Sequence, residues 1–174
     1  MGGYIALEVM RQAPERVTHL ALLSTSARPD TPEQTAARRE QIEEARAGRF
    51  TQLVDAAFPL IVAPENAHDA QLHATVRAMA EDVGPEVYVR QQEAIIARPD
   101  SRPDLPRIAC PTLVVHGAQD QLITPVFGAE IADGIPGARY VRLEHCGHNS
   151  SLEQPEAIAA ALTDLLSDRY GDRA

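Results

Sequence analysis

Two side chains in this sequence have the types and settings for proton transfer at the end of a strand: His148 and Asp120. The run Tyr140-Val141-Arg142-Leu143-Glu144 alternates apolar and polar residues, which predicts a short strand with one buried face. Pro155 then opens an amphipathic, helical pattern. His148 is therefore expected in a loop leaving a strand, beside Gly147, where the missing Cβ lets the backbone turn sharply. An imidazole there can point into a cleft, which is where a general base works in an α/β enzyme. Asp120 follows a second strand pattern, Leu113-Val114-Val115, and a turn at Gly117. A carboxylate in that loop can accept a histidine Nδ1–H, fixing the tautomer and stabilising the imidazolium. Gln119 and Gln121 are neutral and cannot do this, and Asp133 comes too late, at the far end of the next helix. His116 and His145 are rival bases. His116 precedes the turn and is expected to pack beneath the acid loop.

The elements that must position these groups follow from periodicity. Gly2 to Ala13 predicts a helix, with Ile5, Val9 and Ala13 on one face beside Ala6 and Met10, and Pro14 stops it. Val17–Ser24 is nearly continuous in apolar residues and predicts an interior parallel strand. Ser24-Thr25-Ser26-Ala27 reads as a plain connecting loop in preference to a pocket lining, which its hydroxyls could also form, and His19 reads as a structural residue. From Pro29 to about Arg98 the pattern is helical without strands. Thr31, Pro32 and Gln34 form a capping-box start, and Gly48 ends that helix. A second helix over Phe50–Phe58 is expected to break at Pro59. A third covers Ala67–Val83, and a fourth runs from Pro85 to about Ala97. Their apolar members, Phe50, Phe58, Leu60, Met79, Val83 and Ile95 among them, are expected to pack inward. Residues 98–106 form a proline-rich return to the sheet. Thr124 is expected to cap a helix starting at Pro125, and a last helix to bury Ile158, Leu162, Leu165 and Leu166. The polar tail from Ser167 is expected to fray. His68 and His73 lack the i, i+4 spacing for two ligands on one helix face, so no metal site is predicted.

Met1-Gly2-Gly3-Tyr4, then Pro14-Glu15-Arg16-Val17 and a buried strand, resembles the segment after the nucleophilic serine in α/β-hydrolases of the esterase and lactonase type. There the elbow reads Gly-x-Ser-Met-Gly-Gly. The resemblance covers nearly the whole chain, strongly at its two ends and loosely between them. It implies an α/β fold, the C-terminal part of that hydrolase architecture, with three parallel strands, flanking helices and an inserted helical cap. Residues 1–28 would hold the elbow helix and next strand, residues 29–100 the cap, and residues 101–174 the acid and histidine loops. The order of elbow, Asp120 and His148 matches that of nucleophile, acid and base. The family pattern places the base directly after the glycine, which prefers His148 to His145. The serine would stand one residue before Met1, and the Met1 backbone N–H would be an oxyanion donor.

The resemblance implies a small ester or lactone substrate, with no cofactor and no metal. Without the serine, the chain alone is expected not to catalyse, being either part of a longer enzyme or a non-enzymatic remnant. Dehalogenases and epoxide hydrolases of similar shape use aspartate, usually followed by a bulky aromatic instead of Met-Gly-Gly. Carbon–carbon bond hydrolases and haloperoxidases share the layout and are not separated from esterases by sequence.

The bulk numbers narrow the partners. A chain of 174 residues fits one domain with an inserted piece. Its net charge of −9 offers nothing to offset phosphate repulsion, which argues against nucleic acid. No apolar run is long enough for a membrane span. Cys110 and Cys146 flank different ends of adjacent parallel strands and are expected to be free thiols, which suits a reducing, cytoplasmic setting. The Val17–Ser24 strand would keep an unpaired edge, so the isolated chain is expected to be poorly soluble, a homo-oligomer through that edge, or only marginally stable.

Overall fold

A computed structural model describes residues 1–167. The chain runs α1 (Gly2–Gln12), β1 (Leu20–Leu23), α2 (Pro32–Arg46), α3 (Phe50–Ile61), α4 (Ala70–Ile96), β2 (Thr112–Gly117), α5 (Pro125–Gly134), β3 (Arg139–Leu143), α6 (Ser150–Glu153) and α7 (Pro155–Leu166). Three parallel strands form one sheet in the order β1-β2-β3. The middle strand is buried at every position, which is why it reads as an unbroken apolar run. Alternation along the strands then sorts the core into two faces. Leu20, Leu22 and Val114 pack with Leu7 and Met10 of α1 and Ile131 of α5. Leu113, Val115 and Leu143 pack with Ile158, Ala161 and Leu165 of α7. Helices thus cover both sides of the sheet, the three-layer α/β arrangement. Among the described residues no helix is long and apolar enough to cross a membrane.

Between β1 and β2 the chain builds α2, α3 and α4, which pack on one another. The start of α2 is the expected capping box: Gln34 N–H donates to Thr31 Oγ1, and Thr31 N–H to Gln34 Oε1. Gly48 follows the end of α2 with φ 81°, a conformation that glycine adopts without strain. At Gly84 (φ 76°, ψ 163°) the long α4 kinks, so two helical arms meet where two helices are expected.

Several expectations are corrected. β1 is four residues long, because Val17 closes the turn Pro14–Arg16 while Thr18 and His19 lie exposed. α3 runs through Pro59 to Ile61. Pro59 lacks the N–H that would donate to Asp55 O, a loss tolerated near the helix end, and the terminal Ile61 O accepts from Asn149 N–H at 3.0 Å. The third helix begins at Ala70, capped by Asp69, whose Oδ1 accepts the Gln71 and Leu72 amides at 2.9 Å. Thr124 holds the cap position of α5 without a side-chain capping bond. On α1 the buried residues are Leu7 and Met10, while Ile5 and Val9 face outward. Leu60, Met79, Val83 and Leu166 are likewise exposed. Ser167, where fraying is expected to begin, is the last described residue, and the rest of that tail lies outside the described part.

Three backbones meet where the loops leave the sheet. A Cβ on Gly117 would overlap the Gly147 carbonyl oxygen and stand 2.5 Å from Cys146 O. One on Gly147 would overlap the Val62 backbone and stand 2.6 Å from Ala63 N. Neither neighbour is a flexible side chain, so the only relief is to move a loop. Gly117→Ala and Gly147→Ala are each expected to cost about 3 kcal/mol or more in urea unfolding. Gly2→Ala, whose Cβ would meet nothing within 4 Å, should change the midpoint little. Equal effects at all three glycines would contradict this packing.

Candidate active site

The loop after β2 carries Asp120 and the loop after β3 carries His148, so both leave the same rim of the sheet. Backbone bonds knit the two loops together. Ala118 N–H donates to Leu143 O at 2.8 Å, and Gln119 N–H to Cys146 O at 2.9 Å. His148 Nδ1 lies 2.8 Å from Asp120 Oδ2. The carboxylate is buried at 3% exposure, so its charge has to be satisfied by the protein. Oδ1 accepts the Leu122 and Ile123 amides, each at 2.9 Å. Oδ2 takes His148 and also stands 3.2 Å from His116 Nε2.

Burial alone pushes the Asp120 carboxyl upward. Hydrogen bonds from His116 and His148, the His148 charge and the Ile123 amide outweigh it and hold the group at about 2. Asp120 is thus an acceptor only, and the His148 proton belongs on Nδ1. In the neutral ring Nε2 then carries the lone pair, and it makes no hydrogen bond among the described residues.

His116 and His145 are separated from this role by their contacts. His116 is wholly buried beneath the acid loop, as its place before the turn implies. Its Nε2 lies 2.6 Å from Ile123 O, so that nitrogen carries the proton, and Nδ1 is buried without a partner. A Cβ on Gly128 would overlap that Nδ1, so α5 closes the space behind the ring. His145 is exposed and at φ 54°, with Nδ1 3.0 Å from Glu65 Oε1. Cys146 is buried. Burial, then the Glu153 and Asp120 charges, push its thiol up to about 12, which leaves it inert as a nucleophile. His73 Nε2 pairs with Asp55 Oδ1 at 3.1 Å. Among the described residues no three His, Cys, Asp or Glu side chains are grouped to hold a metal ion.

His148 opens on a cavity of about 640 Å³ that is also lined by Met1, Gly2 and Gly3 at the start of α1. Met1 and His148 therefore border one space, and the buried Asp120 reaches it only through its bond to His148. Gly3 permits the close approach of α1, since a Cβ there would overlap Thr25 Oγ1. The Ser24–Ser26 stretch lines the cavity, the alternative reading of its hydroxyls and not the plain loop. Ser24 is held at φ 46°, its Oγ is buried without a partner, and all three residues line the cavity. The hydroxyl run was visible in sequence, but the strained turn that directs it was not.

Glu153 is the residue that sequence reasoning missed. Its Oε1 accepts Gly147 N–H at 2.9 Å. Its Oε2 accepts Ala63 N–H at 2.7 Å and Asn66 Nδ2–H at 3.0 Å. One carboxylate thereby ties the histidine loop to the segment after α3. Its position three residues after Ser150 resembled an ordinary first-turn acid, and nothing local pointed to Ala63.

The Alpha/beta hydrolase family matches residues 1–161. The chain is 30% identical to a thermophilic esterase from Thermogutta terrifontis, solved with malate bound, with a TM-score of 0.89 over 95% of this chain and 61% of that one. It is 33% identical to the enol-lactonase from Burkholderia xenovorans, with a TM-score of 0.84 over 95% of this chain and 62% of that one. A Mycobacterium tuberculosis protein with the provisional name non-heme bromoperoxidase is 29% identical over 96% of this chain. The chain spans 65% of that relative's length.

The Asp120 geometry fixes a pH dependence. The folded value lies below the ordinary carboxyl value of 3.8, so the ionised form stabilises the fold. That contribution is complete above about pH 4, is lost as pH falls toward 2, and amounts to about 2 kcal/mol. The stability gap between the parent chain and Asp120→Asn should narrow by that amount between about pH 5 and pH 2 in urea titrations. A gap that stays constant over this range would refute the ionised, saturated carboxylate.

Proposed function

The chain belongs to the alpha/beta hydrolase family, and on that premise we propose that it supplies the acid and base of a serine hydrolase acting on ester or lactone bonds. The observation that carries this reading is the 2.8 Å Asp120–His148 bond beside a cavity that also reaches Met1. The nucleophile is a serine directly before Met1 in a longer chain, at the Gly-x-Ser-Met-Gly-Gly elbow. His148 Nε2 takes the serine proton as Oγ attacks the carbonyl carbon. The tetrahedral oxyanion accepts a hydrogen bond from the Met1 N–H, which is a peptide amide once the chain is continuous. His148 returns its proton to the leaving alcohol, and water then repeats the cycle on the acyl-enzyme. Asp120 stays ionised and stabilises the imidazolium. No cofactor enters this scheme.

Support comes from the esterase and enol-lactonase neighbours, which keep the same fold at 30% and 33% identity. Residues 29–100 act as the cap over a core made of residues 1–28 and 101–174. The same site admits a second reading, the bromoperoxidase activity named for the Mycobacterium tuberculosis relative. The free Cys110 and Cys146 suit a cytoplasmic setting.

Joined to an upstream segment that ends in Gly-x-Ser, the chain is expected to turn over p-nitrophenyl esters. His148→Ala should lower kcat by about 10³-fold or more. Undiminished turnover would remove His148 from the mechanism, and bromide oxidation without ester turnover would favour the second reading. The 174-residue chain alone should show no turnover. β1 pairs only with β2 among the described residues, so the chain alone is also expected to self-associate through that edge. A monodisperse monomer on a sizing column would contradict the association.

A further inference from the structure

The charge of the cavity is opposite to that of the chain. Acidic residues outnumber Lys and Arg by 25 to 16 overall. The cavity lining nevertheless holds three arginines, Arg28, Arg38 and Arg98, against a single carboxylate, Asp30. Arg28 is neutralised by Glu130, through Nε to Oε2 at 2.9 Å and Nη2 to Oε1 at 2.6 Å. Arg38 and Arg98 have no acid of their own and share Asp30. Arg38 Nε is 2.6 Å from Asp30 Oδ2, and Arg98 Nη2 is 2.9 Å from Oδ1. The Asp30 side chain is 2% exposed, so the cluster is largely withdrawn from water with one positive charge uncompensated.

The two arginines are not equivalent. Arg98 Nε donates to Arg28 O and Nη1 to Ile95 O, Nη2 stands 2.9 Å from Asp30 Oδ1 as an ion pair, and the group lies 4.3 Å from the Tyr4 ring centre. Arg38 commits Nε to Asp30 and Nη1 to Gln92 Oε1 at 2.7 Å. Its Nη2 makes no hydrogen bond among the described residues, and its side chain is twice as exposed as that of Arg98, 24% against 12%. The Met1 amine is pushed down by burial and then by Arg38 and Arg98, so their field extends to the α1 end of the cavity. A partly desolvated guanidinium with an open donor is a carboxylate receptor. One surplus charge matches a monoanion, whereas a phosphate ester would bring nearly two.

We propose that the cavity takes esters or lactones that bear a free carboxylate, held by Arg38 while the scissile carbonyl lies between Met1 and His148. Asp30, Gln92 and Arg98 are positioning residues that orient the Arg38 fork. The assignment rests on the hydrolase reading for its scissile bond, but carboxylate binding is measured independently of turnover.

The test is isothermal titration of the 174-residue chain with monomethyl glutarate, dimethyl glutarate and inorganic phosphate. The monoester should bind at least about tenfold tighter than the diester. Arg38→Gln should abolish that preference, and Arg38→Lys, which keeps the charge without the fork, should retain part of it. Circular dichroism melts confirm that each variant is folded, and Arg38→Lys decides the matter if Arg38→Gln does not fold. His148→Ala should leave the preference intact. Equal binding of both esters, a preference that survives in both Arg38 variants, or phosphate binding tighter than the monoester would overturn the proposal. Loss of the preference alongside His148-dependent turnover in the longer chain would sink the carboxylate assignment alone. Arg38-dependent binding with no such turnover would sink the hydrolase reading alone.

Discussion

A buried carboxylate organises this structure. Removing Asp120 from water costs several kcal/mol unless its lone pairs are filled. They are filled by two amides from its own loop and by two histidines from β2 and the loop after β3. Meeting that demand sets the path of both loops. The acid loop must fold back on itself to present the Leu122 and Ile123 amides, and His148 must enter from the neighbouring strand end. The parallel register that sets Val115 beside Val141 and Gly117 beside Leu143 brings the two departures within reach. An antiparallel neighbour would have sent the second loop to the other rim.

The inserted helices are fastened to this arrangement. Glu153 accepts the amides of Gly147 and Ala63 at once, and Asn149 N–H reaches Ile61 O. Gly147 also needs its missing side chain to let Val62 and Ala63 approach. A shift of α3 is therefore transmitted to the backbone on either side of His148. The segment after α3 and the loop that carries His148 are parts of one hydrogen-bonded assembly.

What could be read from sequence was what local physics determines. The unbroken apolar run of β2, the Thr31–Gln34 box and the glycine before His148 each declare themselves within a few residues. Helix faces were less legible because periodicity defines a stripe without naming its partner. On α1 the stripes through Ile5 and Val9 and through Leu7 and Met10 are both apolar, and only the second meets the sheet. Leu60, Met79 and Val83 show the same ambiguity among the inserted helices. Glu153 and Arg38 were invisible for a different reason. Their partners lie tens of residues away, and a charged residue on a helix looks solvated until the fold brings Ala63 or Gln92 against it.

The choice among the histidines shows where chain order stops and geometry takes over. His116 and His148 both stand within 3.2 Å of the same Asp120 oxygen, so proximity to the acid does not distinguish them. Their tautomers do. His148 presents Nδ1–H to the carboxylate, leaving the Nε2 lone pair on the cavity side. His116 presents Nε2–H, and its remaining nitrogen is sealed against Gly128 with no route to a substrate proton. One ring can exchange protons with the cavity, and the other can only hold the carboxylate in place. With its other oxygen held by the Leu122 and Ile123 amides, Asp120 keeps its position whichever way the His148 ring turns. The buried ring steadies the acid, and the open ring is left free to act.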